Sequence, residues 1–585
     1  MNEPLKPAHD AQAHLRFWPE GVPHQIDVPD ESPWSGLQAR AVQTPHEVGL
    51  DYLGRTYSWQ QLLQSAEHLA GGLQALGVQK GERVILFMQN CAQFIIAFHA
   101  VIRLGAVVVP VNPMNKAQEL GHYIQDAQAH LAIASSDIAP ELASASQMPE
   151  AGHALQHLVV FDLADALPEG HETHMAQWPV VWQHWLPVRH ALPQVADLQV
   201  HAWQALLERQ LQPSAVSVCG DDLALLPYTS GTTGNPKAAL YSHRSTLLHA
   251  YAAALPDVMC ISAKDSILPV VPMFHVNAWG IPYSAAMTGA KLVFPGPALD
   301  GKSVYELIEA EKVTFAAGVP TVWQMLLGHM KPAHLKFATL KRTVIGGSAC
   351  PPAMIDAFRD DYGVDVLHAW GMTEMSPLGT LCTLKNKHLS LPPEAQMKLR
   401  LKQGRAIFGV DMKIVNDAGQ ALPHDGKTYG DLLVKGPWIL REYFKQEGAS
   451  PLVDGWFPTG DVATIDEDGF MQITDRSKDV IKSGGEWISS IDIENIAMAH
   501  PDVAMAACIG MPHPKWDERP VVCVVKKPGS SLSSAELIKF YEGKTAKWQI
   551  PDDAIFVEAI PLGATGKMLK TKLREQLAAY KLPGL

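Results

Sequence analysis

The sequence predicts an α/β fold: a large N-terminal domain of stacked α/β subdomains plus a β-rich subdomain, then a small mobile α+β C-terminal domain. Three observations predict it. Strand-length apolar runs alternate with helix-length amphipathic runs from Val48 onward, the pattern of a covered, largely parallel sheet. From about Gly409 shorter β segments replace that alternation. At Asp475-Arg476-Ser477-Lys478-Asp479 the charge density rises abruptly, and the roughly one hundred residues beyond it suffice for a small domain. Placing the boundary there gives domains 1–474 and 475–585.

Taken in order, residues 1–46 are rich in Pro and His and read as a lead-in of short elements. A short strand pair flanks Gly54. Ser58-x-x-Gln61 has the form of a capping box, opening a helix that ends before Gly77. Residues 84–88 read as a buried strand, 91–104 as a helix, 106–111 as a strand and 117–127 as a helix. Residues 135–208, rich in Trp, His, Pro and Ala, hold one clear strand at 157–161 and are expected to form a partly irregular insertion. Its Trp and His read as packing rather than chemistry. The apolar run 223–226 feeds a polar, glycine-bearing loop, and a helix begins near His243 and Ser245. Strands follow at 267–273, 291–294, 313–317, 343–345 and 365–367, with helices at 304–311 and 352–360. Residues 412–415, 431–434 and 462–465 are β segments. Asp466-Glu467-Asp468-Gly469 is far too short for a calcium loop and reads as a hairpin turn. The C-terminal elements fall at 491–499, 504–510, 521–525, 535–542 and 554–557.

The 585 residues are too many for one ordinary core. A net charge of −13 argues against a nucleic-acid partner, which would need a basic footprint. The seven cysteines are scattered without C-x-x-C pairs, which argues against a zinc cluster or disulfide framework. With no secretory signal at the start, the chain reads as cytoplasmic and reduced. The longest apolar stretch, 94–111, is interrupted by His99, Arg103, Gly105 and Pro110. It reads as a helix and a strand rather than a membrane span, leaving peripheral membrane contact open.

Five stretches carry chemistry. Tyr228-Thr229-Ser230-Gly231-Thr232-Thr233-Gly234-Asn235-Pro236-Lys237 combines glycines, hydroxyls and a closing lysine. Such a loop can wrap a polyphosphate, although it departs from G-x-x-x-x-G-K-[ST]. Trp370-Gly371-Met372-Thr373-Glu374 follows the strand 365–367, where ligands gather in open α/β sheets. Asp461 ends Gly455-Trp456-Phe457-Pro458-Thr459-Gly460-Asp461, and a carboxylate can accept both hydroxyls of a ribose diol. The charged boundary before Gly484-Gly485 has the composition of a hinge and a mobile loop. Pro561-Leu562-Gly563-Ala564-Thr565-Gly566-Lys567 precedes a basic helix. Read singly, each has an ordinary alternative: a surface loop, a helix cap, a turn Asp, a solvated linker, a surface lysine.

Together, and in this order, they resemble the signatures of the AMP-forming adenylating enzymes, a family of acyl-CoA synthetases, peptide-synthetase adenylation domains and beetle luciferases. The resemblance implies ATP, Mg²⁺ and coenzyme A. It implies that Thr229, Ser230, Gly231, Thr232, Thr233, Gly234 and Lys237 hold phosphate, with Thr229 and Glu374 at the metal and Thr373 on phosphate. His368 and Ala369 would line the adenylate pocket, and Asp461 and Arg476 would bind the nucleotide. Lys478 would be the hinge, Lys482 and Trp487 would lie near the adenylate or pantetheine path, and Lys567 would bridge the substrate carboxylate and the α-phosphate. A cation suits that place, because charge accumulates on pentavalent phosphorus.

For the acid, Pro272-Met273-Phe274-His275-Val276-Asn277-Ala278-Trp279 is a candidate wall without the Asp that peptide-synthetase domains place there for an ammonium. His275, Val276, Trp279, Gly318, Val319 and Gly347 suggest an acyl chain, although each alone is more often core. The phrases around Trp279, Val319 and Lys482 look most like medium- and long-chain fatty-acyl-CoA synthetases, in which the matching tryptophan gates the acyl tunnel and a homodimer occurs. Related sequences take short methylthio- or aromatic acids. Transfer to a carrier protein, a luciferase-like oxygenase and a non-catalytic binding relative are the other readings. Ala238 and Ala406 depart from the family's usual glycine and proline.

Overall fold

The computed structural model describes residues 30–583 apart from 153, 168–169, 171–182, 185, 230–235, 297, 447–449, 477–478, 484–485 and 563–567. Two α/β layers carry the larger part. The first is a nine-stranded sheet whose parallel centre runs Asp365–Gly371, Arg342–Ile345, Phe315–Gly318, Ser266–Pro269, Lys291–Phe294 and Val48–Tyr52. Antiparallel strands flank it: Leu378–Leu381 and Arg405–Ala406 at one end, Arg55–Ser58 at the other. The second sheet has seven strands and centres on Arg83–Phe87. Val107–Val111, Leu223–Leu225 and antiparallel Tyr241–Ser242 lie on one side of that strand; Leu131–Ser135, His157–Phe161 and Gln199–Ala202 lie on the other.

Helix Ala92–Arg103 shows why the two sheets are neighbours. Every residue from Ala92 to Ile102 is buried, so no face is left for water. One core takes in Phe94 and Phe98 of that helix together with Leu50 and Phe294 of the first sheet and Val84 and Val108 of the second. The preceding helix, Trp59–Ala75, begins as its sequence indicates. The Ser58 hydroxyl accepts from the Gln61 N–H at 3.2 Å, and the Gln61 side chain accepts from the Ser58 N–H at 2.8 Å.

An antiparallel four-stranded sheet follows, from Asp411–Val415 to Met471–Arg476, and its last hairpin turns at residues 466–469 as predicted. The C-terminal part has a five-stranded sheet built on the hairpin Val503–His513 and Asp517–Lys526. Alternation divides its side chains between two cores. Cys508, Val522 and Val524 face one core, and Ala507, Ile509, Val521 and Cys523 face the other.

Several predicted elements differ in extent, as where the segment at 462–465 begins already at Phe457, and three differences have an identifiable cause or content. The strand at 267–273 stops at Pro269, because Asn90 takes over the backbone beyond it: its amide donates to the Pro269 and Val271 carbonyls and accepts from the Met273 N–H at 2.6 Å. The strand at 365–367 continues to Gly371, pairing with Leu378–Leu381. The insertion is more ordered than expected where it is described. It supplies helix Ala139–Ser146, the strands His157–Phe161 and Gln199–Ala202, and helix Trp203–Glu208. Trp203 packs edge-on against Phe161, in keeping with a packing role. Among the described residues no helix is long and apolar enough to cross a membrane.

Candidate active site

The site gathers where the strand Asp365–Gly371 ends and runs into the short turn Thr373–Met375. Glu374 is buried there. Its carbonyl accepts from the Leu440 N–H at 2.7 Å, and its Oε1 accepts from the Tyr443 hydroxyl at 3.0 Å. The Tyr241 hydroxyl donates to the Thr373 carbonyl. A backbone bridge pairs Tyr443 with Ala239, and the Phe444 N–H donates to the Ala238 carbonyl at 3.0 Å. The base of the polar loop is therefore fastened beside Glu374.

That base is a two-stranded ladder in which Thr229 faces Lys237 and Tyr228 faces Ala238. Lys237 is exposed, and its Nζ lies 5.4 Å from the Tyr443 ring centroid. Ala238 is buried in the core beneath the ladder, so its methyl is accommodated where the family usually has glycine. Ser230, Gly231, Thr232, Thr233 and Gly234 lie outside the described residues.

Among the described residues no group of three His, Cys, Asp or Glu could cage a metal. Mg²⁺ needs no cage: it takes one or two carboxylates, keeps water and borrows substrate phosphate oxygens. A single buried carboxylate next to a phosphate-type loop fits that habit.

Asp461 is buried on the neighbouring sheet and directly opposite Arg476 in the ladder. Its Oδ1 takes the Arg476 Nε at 2.8 Å, and its Oδ2 accepts from the Trp370 indole at 3.0 Å. The acid is thus oriented by a cation on one oxygen and by the Asp365–Gly371 strand on the other. Alternation along that strand separates His368 from Ala369. Ala369 faces Gly346 and Trp279, whereas buried His368 lies 3.1 Å from the Leu401 carbonyl through Nδ1, and burial pushes its pKa down to about 4. The structure places His368 behind the strand rather than with the other candidates.

On the acyl side, Val276, Asn277, Ala278 and Trp279 have φ of 43°, 48°, 49° and 59°, a left-handed turn continued by Gly280 at 73°. Such a run costs about 1–2 kcal/mol per residue and persists only where packing dictates it. Val276, Asn277 and Ala278 are all buried. The His275 N–H donates to the Pro272 carbonyl at 3.3 Å. The Trp279 ring closes against Gly346, where a Cβ would stand 3.3 Å from the indole and 3.1 Å from the Ala369 carbonyl oxygen. Gly347, at φ +85°, would set a Cβ 3.3 Å from Val319 Cγ1. Trp279, Val319, Gly347 and Ala369 therefore form one neighbourhood. At Gly318 a Cβ would fall 2.7 Å from the Trp323 ring.

Lys482 and Trp487 face each other across a hairpin of the C-terminal sheet. The Lys482 N–H donates to Glu518 Oε2 at 3.0 Å. Gly484, Gly485, Lys478 and Lys567 lie outside the described residues. Residues 563–567 are flanked by a bridge between Leu562 and Met568. Sequence reasoning missed Gly346, Tyr241 and Tyr443, and it gave Trp370, which heads the stretch ending in Glu374, no role of its own. Gly346 carried a signal, as the first of a glycine pair after a strand. Tyr241 and Tyr443 are aromatic residues with nothing local to distinguish them from core.

Two family models match the chain: "AMP-binding enzyme" over residues 37–444 and "AMP-binding enzyme C-terminal domain" over residues 492–567. The chain is 46% identical over 530 residues to a 3-methylmercaptopropionyl-CoA ligase of Ruegeria lacuscaerulensis, covering 89% of this chain and 91% of the relative. It is 45% identical over 518 residues to a medium-chain-fatty-acid–CoA ligase of Ectopseudomonas oleovorans, covering 88% and 90%. Among solved structures it superimposes on an anthranilate CoA ligase in complex with anthranoyl-AMP with a TM-score of 0.80 at 24% identity, covering 95% and 99%.

Proposed function

The chain belongs to the family of AMP-binding enzymes, and from that premise we propose that it is an ATP-dependent ligase joining a small aliphatic carboxylic acid to coenzyme A through an acyl-AMP. One observation carries the reading. Glu374, Lys237 and Asp461 converge on the end of a single strand, through Tyr443 and Trp370. A carboxylate for metal, a cation for phosphate and a carboxylate for ribose are the needs of a bound nucleotide.

In this reading the substrate carboxylate attacks the α-phosphorus and pyrophosphate leaves. The Thr229–Lys237 loop holds the departing phosphates. Mg²⁺, when bound, would draw charge from the phosphate oxygens. Glu374, with Thr229 in support, would hold it, and Thr373 would contact phosphate. Asp461 and Arg476 orient the ribose. Lys567 stabilises the charge that builds at phosphorus. The part from Asp475 onward then turns about Lys478, withdrawing Lys567 and presenting the Gly484-Gly485 hairpin with Lys482 and Trp487. The thiolate of coenzyme A attacks the acyl carbonyl, and AMP leaves. Domain rotation would thus serve two half-reactions at one site.

For the acid, Trp279, Val319, Gly346, Gly347 and Ala369, which pack together, and the nearby Val276 carry no charge among them. An ammonium placed there would lack a partner, which disfavours amino acids. We assign a short thioether acid of the 3-(methylthio)propionate kind as the first candidate, on the strength of the Ruegeria relative. A medium-chain fatty acid is the second, and the nearly equal identity to the Ectopseudomonas relative favours keeping it. The test is ATP–pyrophosphate exchange and thioester formation over a panel of straight-chain, methylthio-, aromatic and amino acids. A higher kcat/KM for 3-(methylthio)propionate than for octanoate supports the first candidate, and the reverse selects the second. Exchange with no acid of the panel would overturn the ligase reading altogether.

A further inference from the structure

Tyr443 stands between the carboxylate and the lysine that the proposed reaction needs. Its hydroxyl donates to Glu374 Oε1 at 3.0 Å, and its ring lies under the Lys237 ammonium at 5.4 Å. The backbone around it is stitched to the phosphate loop. Tyr443 bridges to Ala239, and the Phe444 N–H donates to the Ala238 carbonyl. Lys445 pairs with Asp126 Oδ1 at 3.7 Å, while Asp126 Oδ2 accepts from the Tyr228 hydroxyl at 2.6 Å, at the loop's other strand.

We propose that Tyr443 is a positioning residue that orients Glu374 and ties it to Lys237, so that the metal ligand and the phosphate cation are presented as one unit. The inference rests on the reading that this site binds Mg·ATP. Its physical content is separable into two parts. The hydroxyl fixes the carboxylate by donating to Oε1, so that Glu374 would be held in one orientation toward Mg²⁺. The ring steadies the ammonium through its π face. A tyrosine that merely filled space would lose nothing when its hydroxyl is removed.

The experiment is equilibrium binding of ATP by calorimetry, with Mg²⁺ and with EDTA, for the wild type, Tyr443→Phe, Tyr443→Leu, Glu374→Gln and the Tyr443→Phe/Glu374→Gln pair. Removing a hydrogen bond to a charged group should make Tyr443→Phe bind Mg·ATP about tenfold more weakly. Its affinity for ATP in EDTA should be unchanged. In the Glu374→Gln background the same substitution should have no further effect. Tyr443→Leu should also lose about threefold in EDTA, from the missing cation–π contact. Tyr443→Phe keeps the ring and the packing, so the test stands even where the leucine variant does not fold. Equal losses with and without Mg²⁺, no loss at all, or full additivity with Glu374→Gln would each overturn the inference. A wild type that binds no ATP would overturn the nucleotide reading first, and the two failures are thereby told apart.

Discussion

Four buried histidines make the stability of this protein steeply dependent on pH on the acid side. His99, His243, His249 and His368 are each almost completely enclosed. Burial pushes their pKa values from 6.5 down to about 3, about 4, about 3 and about 4. Their surroundings explain the direction. Among the described residues His99 sits between Phe98 and Trp34 with no partner for Nδ1, neither ring nitrogen of His243 has one, and His249 must keep a lone pair on Nε2 for the Leu378 N–H. Above the ordinary pKa neither the folded nor the unfolded chain protonates these rings, and the stabilisation relative to acid is complete. Below it the unfolded chain binds a proton at each ring while the fold refuses one, so stability is lost as pH falls, until the folded pKa is reached. From about pH 7 to about pH 5.5 the loss is about 1.2 kcal/mol per ring, or about 5 kcal/mol for the set. That is comparable with the whole stability of many domains, about 5–15 kcal/mol.

The clean perturbation is His99→Leu, similar in volume and free of the ring nitrogens. It should leave the urea midpoint nearly unchanged at about pH 7. At about pH 5.5 it should be more stable than the wild type by about 1.2 kcal/mol, having discarded one proton site of the unfolded chain. Urea unfolding followed by circular dichroism at the two pH values measures both numbers. Parallel pH profiles for the variant and the wild type would refute the reasoning, since they would mean that His99 protonates equally in the folded and unfolded states.

Three further expectations follow from other contacts. Asp461→Asn keeps an acceptor for the Trp370 indole but removes the charge facing Arg476; the KM for ATP should rise about tenfold, as for a lost charge-assisted bond, with thermal stability little changed. Lys570→Met removes the ammonium that lies 2.7 Å from buried Glu494 and should cost about 3–5 kcal/mol in urea unfolding, much of it regained in Lys570→Met/Glu494→Met. Gly404→Ala combines φ +88° with a Cβ 2.0 Å from the Leu381 carbonyl carbon and should cost about 4 kcal/mol or more, read as a fall in melting temperature.

What the sequence makes legible here is what is local in the chain. The Ser58–Gln61 capping box forms within one helical turn, and the hairpin at residues 466–469 closes on itself, so both stand as predicted. The strand at 267–273 is cut short by Asn90, whose side chain arrives from nearly two hundred positions away, and no pattern within the strand could announce it. The turn at Val276–Trp279 is hidden for a related reason. Valine, asparagine, alanine and tryptophan carry no shared preference for positive φ, and the burial of Val276, Asn277 and Ala278 is what holds them there. The candidate site divides along the same line. Glu374, Asp461 and Lys237 stand in stretches that the sequence already marks by composition and order. Tyr443, which holds Glu374 at 3.0 Å from 69 positions away, could have been any aromatic residue of the core, and Trp370, though it heads the stretch ending in Glu374, gives no sign in the sequence that its indole reaches Asp461, 91 positions away. Residues proposed to touch the nucleotide are therefore read from the sequence more readily than the residues that hydrogen-bond them in place. Tyr443→Phe tests whether that second group has a measurable effect on metal-dependent ATP affinity.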